Sequence, residues 1–177
     1  MADDATLLKD PAEIDAPQSV SLEAFKSGMA LLAGAVNIVT TDGPAGRAGL
    51  TASAVCSVTA DPPTLLVCVN RASSAAPAFL ENDAVCINTA GPGHRDLAML
   101  FGGKTPMEAR FAEASWTTGA SGAPILTGAV VSFDCRVSSR AVVGSHEVLF
   151  CRIIGITEAP QTPALAYFAR KFHELEA

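Results

Sequence analysis

Few side chains in this 177-residue chain are spaced for chemistry, and the most suggestive of them carry no charge. Thr51, Ser53, Ser57 and Thr59 alternate along a strand-like run, with the small Ala52 and Ala54 between the first of them. A hydroxyl row is unusual for a core face, because each hydroxyl needs a partner once buried. Two readings stay open. The row is either the solvated outer face of an antiparallel strand or a wall for a polar, uncharged ligand, such as the ribityl chain and ring edge of a flavin. On the second reading, Ala52 and Ala54 leave room for a planar ring against the backbone. Asn70, Arg71, Ser73 and Ser74 follow an apolar run and precede a helix-like segment. Their hydroxyls, Arg71 and helix amides suit a phosphate, although an ordinary helix cap uses the same residues.

Other chemistries fail on spacing. His146 follows Gly144-Ser145 at a strand start, where a side chain projects from a rim. A structural role is its default, and beside a flavin its imidazole would shape a nicotinamide site. His146-Glu147 begins like the metalloprotease pattern H-E-x-x-H, yet Phe150 stands where the second histidine belongs, so no metal is expected. With His94 and His173 a serine triad is numerically possible, but no G-x-S-x-G surrounds a serine. Gly91-Pro92-Gly93 lacks the third glycine of a dinucleotide fingerprint, and no phosphate-binding P-loop occurs. The five cysteines are odd in number and form no C-x-x-C pair, which reads as reduced core thiols.

The scaffold that must position these residues is apolar and weakly charged. Hydrophobic residues make up 49%, and charged residues 17% against roughly 25% in typical soluble domains, so part of the surface is expected to be hidden in an oligomer. Twelve basic against eighteen acidic residues give a net charge of −6, the wrong sign for a nucleic-acid partner. No apolar run approaches the roughly 20 residues of a membrane span, and the acidic start lacks a secretory signal; a cytoplasmic protein is expected. Residues 1–20 read as a mobile or draped arm and 21–177 as one folded domain. Ser21 caps an amphipathic helix through Leu22, Phe25, Met29 and Leu32 that ends near Gly34. Val36 to Thr41 and Gly49 to Thr59 make a hairpin around Asp42 to Gly46. Buried strands follow at 64–69 and 85–88, helices at 73–82 and 96–101, the latter closed by Gly102-Gly103, and further strands at 129–137 and 148–156. Leu165, Phe168, Phe172 and Leu175 recur at helical steps. The fold class is mainly β, a barrel or sandwich flanked by a few helices.

The segments Ala35–Thr41, Gly49–Val58, Pro62-Pro63, Leu66–Asn70, Met107–Phe111, Gly144–His146 and Tyr167–His173 stand in one order across nearly the whole chain. As a set they resemble the short-chain flavin reductases that supply two-component monooxygenases, such as the 4-hydroxyphenylacetate 3-monooxygenase reductase. The resemblance implies a split β-barrel of Greek-key, FMN-binding type and a homodimer. It implies hydride transfer from NADH or NADPH to free FMN or FAD, and delivery of reduced flavin to a monooxygenase acting on a phenolic substrate. Residue by residue, Thr51, Ala52 and Ser53 would meet the ring and ribityl chain, with Ser57 in the same row. Cys68, Val69 and Asn70 would continue the wall, Ser73 and Ser74 would sit at the phosphate, and Asn88 and Arg110 would add cofactor contacts. His146 would face the nicotinamide as the catalytic candidate, with Arg170 and Phe172 reaching the NADH site from a C-terminal helix. The segment 169–172 lacks the family's usual consecutive arginines, and 89–93, the expected lid, is shorter and richer in glycine. Rival readings are a non-catalytic flavin carrier on the same barrel, a pyridoxamine-phosphate-type oxidase, and a barrel that only scaffolds a complex.

Overall fold

Alternating β-branched and apolar residues become strands through most of the computed structural model, which describes residues 20–177. The arm expected over 1–20 lies outside the described residues except for Val20. β1 (Gly34–Ala35) is followed by the expected hairpin of β2 (Asn37–Asp42) and β3 (Ala48–Ala52), with Asn37 opposite Ala52 and Thr41 opposite Ala48. Next come β4 (Val55–Ala60), β5 (Pro63–Asn70), β6 (Ala84–Thr89), the short hairpin β7 (Trp116–Thr118) and β8 (Pro124–Leu126), and the long strands β9 (Val131–Val143) and β10 (His146–Glu158). Seven of these form one antiparallel sheet in the order β3-β2-β6-β9-β10-β5-β4. The sheet curls around a core to which every strand but β4 contributes a buried residue: Val39, Leu50, Val67, Ile87, Cys135 and Leu149. Its two end strands, β3 and β4, are not bonded to each other, so one seam stays open in the manner of a split barrel.

The chain crosses that seam at Ser53-Ala54, which corrects the expected single strand from Gly49 to Thr59. The Val55 N–H donates to the Ser53 carbonyl at 2.9 Å, a three-residue turn that sends the two halves to opposite ends of the sheet. Thr51 and Ser57 therefore share no row. Ser57 is exposed on β4 in register with Leu65.

The end of the chain is a second correction. β11 (Ala164–Phe168) and β12 (Lys171–Leu175) form a hairpin that joins β1 in a three-stranded sheet, where a helix was expected. Tyr167, Phe168 and Phe172 favour extended backbone, and Ala169-Arg170 closes the reversal with both residues left-handed, at φ 50° and 62°. The segment 89–93 is not a free lid: Ala90 is woven between Val36 and Leu165 by main-chain bonds of 2.8 Å.

Helices cover the ends. α2 (Ala76–Glu81) caps the core with Phe79. α3 (Arg95–Gly102) packs on β3, and α4 (Met107–Ala112) follows in a segment where no element was expected. Phe111 of α4 meets Phe101 edge-on at 5.2 Å and Trp116 at 4.9 Å, locking α3 and α4 together. α1 (Leu22–Ala30) is capped by Ser21, whose hydroxyl accepts the Ala24 N–H, and it buries none of its residues. No helix among the described residues is long and apolar enough to cross a membrane.

Candidate functional site

Where the seam opens beside α3, the backbone of β3 forms the floor of a groove of about 320 Å³, within the range of small-molecule sites. Thr51, Ala52 and Ser53 lie along it, Ala98, Met99 and Gly102 of α3 form one side, and Val36, Tyr167 and Phe172 form the other. The Thr51 hydroxyl donates to the Ala98 carbonyl at 2.6 Å, so it fixes the distance between floor and wall. Tyr167 and Phe172 meet edge to face at 5.4 Å, and the Arg95 guanidinium stacks over the far ring at 5.5 Å. Nothing charged lines this groove.

Gly102 is shared with a second recess, of about 540 Å³, lined by Asn70, Ala72, Ser73, Ser74, Gly103 and Lys104. Asn70 accepts the Ala72 N–H at 2.9 Å and Ser73 the Ala75 N–H at 3.3 Å, so both hold a turn whose outer side stays open. Lys104, rather than Arg71, supplies the cation here. Arg170 lines a third depression with Lys26 and Met29 of α1, which meets the groove at Ser53 and Tyr167. An uncharged centre thus lies between two cationic ends.

His146 stands directly across from Asn70 in the β5–β10 register, half-buried, with its Nδ1 3.0 Å from the Ser145 hydroxyl. Cys68 shares that outer face, opposite Val148. His146 therefore flanks the recess through Asn70 and does not line the groove. The other two histidines have structural bonds: His94 accepts the Gly91 N–H, and His173 lies 3.2 Å from the Phe168 carbonyl.

The structure places three expected cofactor contacts, besides Ser57, outside the linings of the groove and recess. Val69 is fully buried and packs its side chain into the core. Asn88 is also fully buried, on β6 two strands from Thr51 and on the same face of the sheet; its amide donates to Ile38 and accepts from Leu126 and Ser132, each at 2.9 Å. Arg110 is 1% exposed beneath the recess and reaches the wall residues Ser74 and Gly103 from behind. Conversely, Ala98, Met99 and Tyr167 were not foreseen, since only tertiary packing brings them to β3.

All five cysteines are unpaired. Burial raises the thiols of Cys86 and Cys135 far above their ordinary range and that of Cys151 to about 12. Burial, then Cys56 nearby, raises Cys68. Cys56 itself is exposed on β4, unlike the core thiol expected of it. Among the described residues no cluster of three or more His, Cys, Asp or Glu side chains could hold a metal ion.

The flavin reductase like domain matches residues 29–176, which include every strand. The chain is 55% identical to an FMN reductase (NADH) RutF of Stutzerimonas stutzeri over 155 residues, 88% of this chain and 89% of the relative. A solved Haemophilus somnus structure described as a flavin reductase superposes with a TM-score of 0.85 at 43% identity, over 88% of this chain and 100% of the other. BorF, the flavin reductase component of a bacterial two-component tryptophan halogenase, gives 0.81 at 25% identity, over 89% and 99%. With the whole strand system matched and the groove built on its open seam, the chain belongs to the flavin reductase family.

Proposed function

We propose that this chain oxidises NADH, reduces free FMN and releases the reduced flavin to a separate monooxygenase. The observation that carries this reading is the uncharged groove over Thr51–Ser53, continuous at Gly102 with a hydroxyl-lined recess that ends in Lys104. That gradient from apolar to cationic matches a flat ring, a polyol chain and a phosphate in sequence. Ala52 lets the ring approach the backbone, Tyr167 and Phe172 exclude water from one side, and Ser73, Ser74 and Lys104 hold the phosphate. When both substrates are bound, hydride passes from the nicotinamide to the flavin ring, which needs orientation more than ionisable groups. His146 orients the nicotinamide amide, while Arg170 and Lys26 meet the phosphates of NADH.

The names of the relatives favour FMN with NADH over FAD or NADPH. A monooxygenase partner is supported by the similarity to a two-component reductase. The phenolic substrate implied by the resemblance belongs to that partner and touches no residue of this chain. The exposed apolar side chains of α1, Phe25 and Met29 among them, together with Val142 and Val143 on β9, are the surface for a second copy in a homodimer. The unpaired thiols suit the reducing cytoplasm.

The test is anaerobic oxidation of NADH and NADPH with FMN, FAD and riboflavin in turn. NADH with FMN should give the highest kcat/KM. Tight FMN binding without turnover in excess flavin would replace this reading with the non-catalytic carrier.

A further inference from the structure

Arg110 carries a full positive charge in the interior, and nothing acidic answers it. It is 1% exposed. Its Nε donates to the Thr105 carbonyl at 2.8 Å, and one terminal nitrogen donates to the carbonyls of Phe101 and Gly49 at 3.1 and 3.3 Å. The other donates to the Gly103 carbonyl at 2.8 Å and the Ser74 hydroxyl at 3.4 Å. Among the described residues the one ion pair is Arg140 with Asp83, elsewhere on the surface. Carbonyls satisfy the donors of a guanidinium but leave its charge uncompensated, and an uncompensated buried charge is costly unless something offsets it.

Two of its acceptors, Ser74 and Gly103, are themselves walls of the phosphate recess. The geometry points to Arg110 as a positioning residue that makes the recess select a phosphorylated flavin, acting through Ser74 and the Gly102-Gly103 turn without touching the ligand. This rests on the reductase reading and extends it to substrate choice. Because the Ser74 oxygen accepts from Arg110, its proton is free to donate outward to an anion. With the Gly103 carbonyl held inward, the following N–H of Lys104 is turned the opposite way, as a trans peptide requires. A phosphate in the recess then supplies the missing counter-charge at short range, where screening by water is weakest.

The experiment compares the intact protein with R110K, R110M and S74A, using FMN and riboflavin at saturating NADH, with thermal unfolding recorded for each. R110M should raise KM for FMN about tenfold, as expected for a lost charge-assisted interaction, while kcat and the KM for riboflavin change less than twofold. R110K should restore most of the FMN preference. S74A, which keeps the buried guanidinium, should weaken FMN selectively, and it carries the test if R110M does not fold. In the unmodified protein inorganic phosphate should compete with FMN and not with riboflavin. An equal rise in KM for both flavins in a folded variant would make Arg110 a mere staple of α4 and overturn the inference. So would an unmodified protein that uses riboflavin as well as FMN, with the reductase reading intact. No NADH oxidation with any flavin would overturn both.

Discussion

Two clusters of the same polar residue types lie on the outer face of the sheet, where Ile38 pairs with both Thr51 and Asn88, and they differ in how many of their atoms are already engaged. On β2, β6 and β9, Thr40, Asn88, Ser132 and Asp134 are all buried. The Asn88 amide donates to Ile38 and Thr40 and accepts from Leu126 and Ser132. Asp134 accepts from both the N–H and the hydroxyl of Ser121, and a Cβ on Gly119 would lie 2.6 Å from its carboxylate. Among the described residues no buried side-chain nitrogen or oxygen lacks a partner. In the groove and recess, Ser53, Asn70 and Ser74 are exposed, and Asn70 makes only a local turn bond. Closed polar networks specify a packed structure, whereas open ones are available to bind.

The largest effect that would test this contrast is in the closed cluster. Asn88→Ala leaves two buried main-chain groups and two hydroxyls short of a partner, and should destabilise the fold by about 2–4 kcal/mol. Denaturant unfolding measures that loss, while the activity of the remaining folded protein should be unchanged. If Asn88 were instead a cofactor contact, flavin KM would rise with little loss of stability. Next comes the open groove. Ala52→Leu fills the groove floor and should lower kcat/KM more than about tenfold, with a melting temperature within a few degrees of the original. A full-rate Ala52→Leu variant would remove the groove from the reaction.

What could be read from the residues follows the same division. Alternation revealed β2 and β9, because one-sided burial writes itself into neighbouring positions, and continuous apolar runs revealed β5 and β6. The break at Ser53-Ala54 was hidden, since neither Gly nor Pro marks it and the register on either side continues the alternation. The C-terminal hairpin was hidden for a related reason. Its turn is Ala169-Arg170 in place of the usual Asn-Gly, and its apolar residues happen to fall at helical steps. In the site, Thr51 to Ser53 and Asn70 to Ser74 stood out as local hydroxyl clusters. Tyr167 and Met99 did not, being brought to β3 from distant parts of the chain. The bonds that Asn88 makes to Ile38, Leu126 and Ser132 were not legible, because residue type does not disclose whether an amide already has partners.

A smaller effect separates the rim from the groove. His146 lies beside Asn70 and outside the groove lining, so His146→Ala should raise KM for NADH by about fivefold, the loss of one modest hydrogen bond, with the dissociation constant for FMN unchanged. Equal weakening of FMN would move His146 into the flavin site. Unchanged steady-state kinetics would remove its role in NADH use.

The smallest effect concerns protons in the core that the sheet encloses. Burial raises the Cys151 thiol from its ordinary value near 9 to about 12 in the folded protein, so between those limits the native state holds a proton that the unfolded chain has released. The stabilisation is complete below about pH 9 and is lost as pH rises toward 12. Its slope is at most about 1.4 kcal/mol per pH unit, and less near pH 9, where the unfolded thiol is only half ionised. Exposed Cys56 offers no such burial. Chemical unfolding between pH 8.5 and 9.5 should therefore show a shallower decline in Cys151→Ala than in the unmodified protein, and the same decline in Cys56→Ala. Equal slopes in all three would mean that the thiol in the core is as accessible to water as the one on the edge strand, and the curled sheet would not then enclose a dry interior.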